Sequence, residues 1–196
     1  MRGTQAPTAE PMTEARERLN LVSFLEEVRG TAEPKKQMLL NVMSAVLTHE
    51  QGGLQMYQQY SQQSNNRELK ETWREFGEET RVHVQVAERV ISALGGDPGY
   101  KSSVAKELQK AATTMLSIQA QGEESDAIRL GYLTQTETIC KHHWKSVNTL
   151  ARRIKDPAMA KILMDASRIV ERDEDGHLTW NAAMYDRQME KGATGM

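Results

Sequence analysis

Glu50, Glu79, His83, Glu137, Asp173, Glu174 and His177 are acidic and imidazole side chains that fall at positions where helical periodicity calls for apolar residues. Glu137 interrupts the series Leu130, Leu133, Cys140, Trp144, Val147 and Ala151. Glu50 stands likewise between Val46 or Leu47 and Leu54 or Tyr57. Glu79 and His83 are four apart, in phase with Phe76 and Val86. Asp173 and Glu174 precede His177 by four and three residues, in phase with Val170 and Trp180. An unpaired buried carboxylate costs roughly several kcal/mol, so something positive must face these groups. Carboxylate oxygens joined by one imidazole per ion suit a pair of iron ions, with manganese the alternative and zinc a poorer match. The choice between Asp173 and Glu174 stays open: Glu-x-x-His favours Glu174, and the spacing of Glu79 and His83 favours Asp173.

Each element also has a plainer explanation. Glu79 and His83 alone could be a polar pair on a solvated face, and Glu137 alone could be satisfied by an arginine or water. The metal reading gains its weight from all four long helices carrying such residues at matching heights. Glu50 lies 15 residues before Asn65 at the first turn, and His83 lies 17 after Asn66; Glu137 lies 19 before Asp156, and His177 lies 20 after Pro157. At ~1.5 Å per residue, each glutamate then sits within about a turn of its histidine's level.

The elements that must position these residues follow from periodicity and turn chemistry. A first long helix runs from Pro34 to about Gln62 through Leu39, Met43, Val46 and Leu47. Asn65 or Asn66 caps a second helix that ends at LGGDP. A shorter connector over Ser103–Gln119 follows, and Ser125 or Asp126 is the expected cap of the next long helix. In KDP, Asp156 caps the last helix and Pro157 opens it; its expected core is Ile162, Ala166, Ile169, Val170, Trp180 and Met184. No alternating strand pattern occurs. The class is all-α: a ferritin-like antiparallel four-helix bundle over 32–190, preceded by a mobile tail and short helix over 1–31 and followed by a flexible end over 191–196.

The segment EETRVHVQVAERVISALGGDP, with DAIRLGYLTQTE further on, resembles the signature of the YciE/YciF-type ferritin-like proteins from about Glu68 to Trp180. The resemblance implies a ferritin-like fold and dimerisation. It places an acid and imidazole at Glu79 and His83 and a glutamate at Glu137, while the family's next glutamate falls on Cys140.

Composition narrows the function classes. The 25 Lys and Arg against 27 Asp and Glu give a net charge of −2, with no pull toward nucleic acid or an anionic membrane. No apolar run approaches the ~20 residues a spanning helix needs. The single cysteine, Cys140, permits no internal disulfide. A cytoplasmic homodimer that oxidises ferrous iron, or reduces oxygen or peroxide in stress defence, is the expectation. The rival is a non-catalytic dimeric bundle with zinc or no metal. A mononuclear site of three histidines would need two on one helix face, whereas His49, His142 and His143 fall out of phase with the acids.

Overall fold

Turn chemistry decides where each helix ends. In the computed structural model of the protein, which describes residues 35–117 and 124–194, Asn66 separates α1 (Lys36–Gln63) from α2 (Arg67–Ala93). Its side chain accepts from the Glu68 amide at 2.9 Å and the Leu69 amide at 3.4 Å, satisfying donors that a helix start leaves over. At the far end of α2, Gly95 takes φ +69°. That left-handed turn lets the Gly95 amide donate to Ser92 at 2.8 Å and the Gly96 amide to Ile91 at 2.9 Å, closing the helix as a glycine-capped end. A short helix α3 (Ser103–Ser117) precedes α4 (Ser125–Ala151) and α5 (Pro157–Thr194). Asp156 Oδ1 caps α5 by accepting from the Ala158 and Met159 amides at 2.9 and 3.2 Å.

The described residues form an all-helical bundle without strands. α1 packs along α2 and α4 along α5, and the hairpins meet through α1 with α4 and α2 with α5. Two apolar layers fill the interior. One joins Leu39, Met43, Val90, Ile91, Val147, Ala151 and Leu163; the other joins Tyr57, Tyr60, Leu69, Trp73, Leu130, Leu133 and Met184. Early α1 thus meets late α2, late α4 and early α5, so packed neighbours run antiparallel. Since α2 ends at the first layer and α4 begins at the second, the chain must cross the length of the bundle between them. α3 makes that crossing along α1, where Lys101 Nζ bonds Thr48 and Gln51, both at 2.9 Å, and the Tyr60 hydroxyl donates to Met115 O at 3.3 Å. Gly52 permits the approach, because a Cβ there would stand 3.0 Å from Ala112 Cβ.

The structure corrects several details. Ile162 and Ile169 are exposed, and Leu163 with Ala166 and Val170 faces the core instead. A step of 100° per residue turns a side chain away from the stripe, and Leu163 keeps the three- and four-residue spacing through Glu174, His177 and Asn181. α4 is preceded by Glu124, which makes no side-chain cap. Asp126 is drawn instead into a tertiary bond from the Ser64 hydroxyl at 2.8 Å and a bond from Arg129, one turn on in its own helix, at 2.7 Å. α5 continues to Thr194, past the boundary expected near 190. The N-terminal tail and helix expected over 1–31 lie outside the described residues.

Candidate metal centre

Between the two apolar layers lies a polar layer built from four helices. Glu50 comes from α1, His83 from α2, Glu137 from α4, and Glu174 and His177 from α5; all five are buried. Their histidine rings lie 5.9 Å apart, stacked across the centre. Ligand atoms of Glu137, Glu174 and His177 lie within 4.8 Å of one another, and so do those of Glu50, Cys140 and Glu174. Glu174 belongs to both groups.

Four of the five have one polar atom held from outside the cluster and the other free within it. Glu50 Oε1 accepts from Trp144 Nε1 at 2.6 Å and from the Cys140 thiol at 2.9 Å. Glu137 Oε1 accepts the Tyr57 hydroxyl at 2.7 Å. The Tyr57 oxygen accepts from Asn181 Nδ2 at 3.0 Å, and Asn181 Oδ1 accepts from Trp73 Nε1 at 3.0 Å. His83 Nε2 lies 3.4 Å from Asp173 Oδ2, and His177 Nε2 lies 2.7 Å from Glu79 Oε2. Each outer acid thus braces the histidine of the other hairpin, which fixes its ring orientation and leaves Nδ1 facing inward.

The inner atoms are the unusual ones. Glu50 Oε2, His83 Nδ1, Glu137 Oε2, Glu174 Oε2 and His177 Nδ1 are buried without a hydrogen-bond partner. His83 Nδ1 stands 3.0 Å from Glu174 Oε1 and 3.6 Å from Glu50 Oε2, and His177 Nδ1 stands 3.6 Å from Glu137 Oε2, none aligned as a hydrogen bond. Each such orphan costs ~1–3 kcal/mol, more when charged, and since folded proteins keep such groups few, a concentration of them calls for an explanation. These atoms come from the residues whose close ligand groups could hold a metal ion.

Protonation tells the same story. Burial raises the Glu174 carboxyl well above its ordinary value, and the charges of Glu137 and Glu50 push it further. Burial would raise Glu137 too, but the nearby His177 imidazole, the neighbouring Glu174 carboxyl and the hydrogen bond from Tyr57 outweigh it and lower this carboxyl to about 2. For His177, burial works against the proton and is overcome by Glu137 and Glu79, so its pKa is raised. In the absence of a cation the cluster therefore compensates its crowded acids with protons.

Of the seven residues singled out by sequence, five meet at the centre and two stand behind it. Glu79 is half exposed and Asp173 is partly so; Glu174 is the inward acid of α5. Tyr57, Trp144, Asn181 and Cys140 were readable only as core or polar helix residues, yet they hold or adjoin the site. Asn181 carried a signal, standing four residues after His177 on the same face. His49 and His143 are partly buried rather than superficial: His49 Nε2 lies 2.9 Å from Thr136 O, its ring meets His143 edge-on at 5.2 Å, and burial lowers His143 to about 4.

Tyr57→Phe is expected to cost about 1–3 kcal/mol, because a bond to a buried carboxylate and one from a buried amide disappear together. Chemical denaturation measures it; an unchanged midpoint and slope would mean the hydroxyl anchors nothing.

Comparison with family models, curated proteins and solved structures finds no match for this chain. Among the described residues no helix is long and apolar enough to cross a membrane. What stands on the structure itself is a helical bundle whose buried acid, imidazole and thiol groups are placed to hold a metal ion.

Proposed function

We propose that the protein is a ferritin-like dinuclear metal protein, akin to the YciE/YciF type, that binds two iron ions, with manganese as the alternative, and acts as a ferroxidase or peroxide-reducing protein. The observation that carries this reading is the convergence of five unpartnered buried atoms from four helices. Glu50 and His83 would hold one ion, Glu137 and His177 the other, and Glu174 both. The lengthwise crossing between the hairpins supports the ferritin-like assignment, since one long crossover distinguishes that topology from simple up-and-down bundles.

When bound, a pair of ferrous ions supplies the two electrons that convert hydrogen peroxide and two protons to water, or dioxygen to the peroxide level. The chain's contribution is position and exclusion. Tyr57 and Trp144 fix the angle of the two glutamates, Glu79 and Asp173 fix the two rings, and the apolar layers on either side keep bulk water out. The preference for oxygen donors supports iron or manganese over zinc. A cytoplasmic homodimer belongs to the same proposal.

Anaerobic protein loaded with ferrous iron should bind two ions per chain and, mixed with oxygen or peroxide, oxidise them faster than iron in buffer. His83→Ala and His177→Ala should each slow the reaction, and the double variant should be little worse than either, because both ions act as one unit. Stopped-flow absorbance reads the rate. If two ions bind and oxidise no faster than free iron, the redox role fails and a structural metal role replaces it.

A further inference from the structure

The two halves of the centre repeat one pattern, and Cys140 breaks it. Tyr57 stands seven residues after Glu50 and donates to Glu137; Trp144 stands seven after Glu137 and donates to Glu50. Glu79 and Asp173 each stand four before a histidine and brace the opposite one. Cys140 stands three after Glu137, and the matching place after Glu50 is Gly53, which has no side chain. The sulfur is buried, 2.9 Å from Glu50 Oε1, and within 4.8 Å of a ligand oxygen of Glu174. Glu50, Cys140 and Glu174 form one group of close ligand atoms, and His83 Nδ1 adjoins its two acids, 3.0 Å from Glu174 Oε1 and 3.6 Å from Glu50 Oε2; Glu50 Oε2, Glu174 Oε2 and His83 Nδ1 are unpartnered.

We propose that Cys140 is a metal ligand whose thiolate joins Glu50, Glu174 and His83 around one ion, while the ion at Glu137, Glu174 and His177 takes oxygen and nitrogen donors only. This rests on the dinuclear reading above. On binding, the thiol proton leaves to solvent and the sulfur lone pair forms the metal–sulfur bond, with no change of oxidation state. A thiolate shifts its position toward softer ions such as cobalt or zinc, whereas the other position keeps the hard-donor preference that suits iron or manganese. The two positions are then chemically unequal. Gly53, offering no counterpart to the sulfur, leaves the second ion one protein donor fewer and therefore more open to a small oxidant.

Titration of the reduced, full-length protein with cobalt(II) tests this, because a cobalt–thiolate bond absorbs in the near ultraviolet and Cys140 is the sole cysteine. The expected result is two bound cobalt ions, with a charge-transfer band that saturates with one of them. The band should vanish in Cys140→Ser, and affinity for that ion should fall by roughly tenfold or more. Two ions bound to the wild type without the band would overturn the thiolate assignment and leave the dinuclear reading standing. No cobalt bound at all would overturn both. The wild-type spectrum decides even if the variant fails to fold.

Discussion

Glu174→Ala is expected to abolish occupancy of both metal positions at concentrations that saturate the wild type. Glu174 is the one residue common to the two groups of close ligand atoms, so its removal strips a donor from each position. Loss of an outer partner typically weakens a metal site by about 10–100-fold, and loss of a shared ligand should exceed roughly a hundredfold at each position. Glu137→Ala, by contrast, should release at least one ion, and Glu79→Ala and Asp173→Ala should keep both with weaker binding, because these two acids touch only the far side of the rings. Metal analysis after equilibrium dialysis distinguishes the four variants. Glu174→Gln, of nearly the same shape, guards against misfolding as the explanation. Two ions retained at wild-type affinity in Glu174→Ala would remove it from the shared position.

Stability points in the same direction as binding. Ions that bind only the folded chain stabilise it by mass action, and here they also replace repulsion among acids by attraction. The wild type should therefore gain more Tm from metal than Glu79→Ala, and Glu174→Ala should gain almost none.

How much of this was legible in the sequence depends on which interactions are local. Caps and helix ends are local, and Asn66, Gly95 and Asp156 behave as their residue types require. Core-facing polar residues are nearly as readable, because a carboxylate or imidazole in an apolar stripe violates the pattern wherever the helix later packs; Glu50, Glu137 and His177 declare themselves in this way. Orientation within half a turn is not local. Glu79 and Thr80, or Asp173 and Glu174, differ by one residue and 100°, and only the angle at which α2 and α5 pack decides which points inward. Thr80 wins on α2 and is buried, its hydroxyl turned back onto Phe76 O at 2.8 Å. The α2 face therefore contributes a histidine without an inward acid beside it, and the four-residue spacing of Glu79 and His83 recurs in Asp173 and His177 as a pattern of braces rather than of ligands.

The anchors were invisible for a related reason. Tyr57 and Trp144 reach across the bundle, each from the helix of one glutamate to the other, so their role exists only when α1 and α4 lie side by side. Read along the chain they are large aromatic residues at core spacing. Ile162 and Ile169 show the converse: strongly apolar residues one step off the stripe remain exposed, because packing geometry outranks hydrophobicity when Leu163 fills the facing space.

Metal-free protein should be less stable at pH 8 than at pH 6; a pKa difference of one unit is worth ~1.4 kcal/mol and each kcal/mol moves Tm by ~2–4 °C at this size, so each unit of difference that falls in this window lowers Tm by ~3–6 °C. Glu174 is raised by burial and by Glu137 and Glu50, so the folded chain keeps a proton that the unfolded chain surrenders above its ordinary value of 4.5. Its contribution falls as pH rises toward the folded value. His177 is also raised from 6.5, against burial, by Glu137 and Glu79; the stability it brings is complete below 6.5 and is lost as pH climbs through the folded value. Glu137 runs the other way. Lowered to about 2 by His177, Glu174 and Tyr57 despite burial, it loses its contribution only as pH falls from 4.5 toward 2, outside the window compared. Bound metal replaces the protons that Glu174 and His177 otherwise hold, so holoprotein should show little of the difference between pH 6 and pH 8. Glu174→Gln, which cannot ionise, should flatten the metal-free profile as well. Parallel melting curves at the two pH values, with and without metal, measure all of this; equal pH dependence in both forms would show that the acids do not share one buried site.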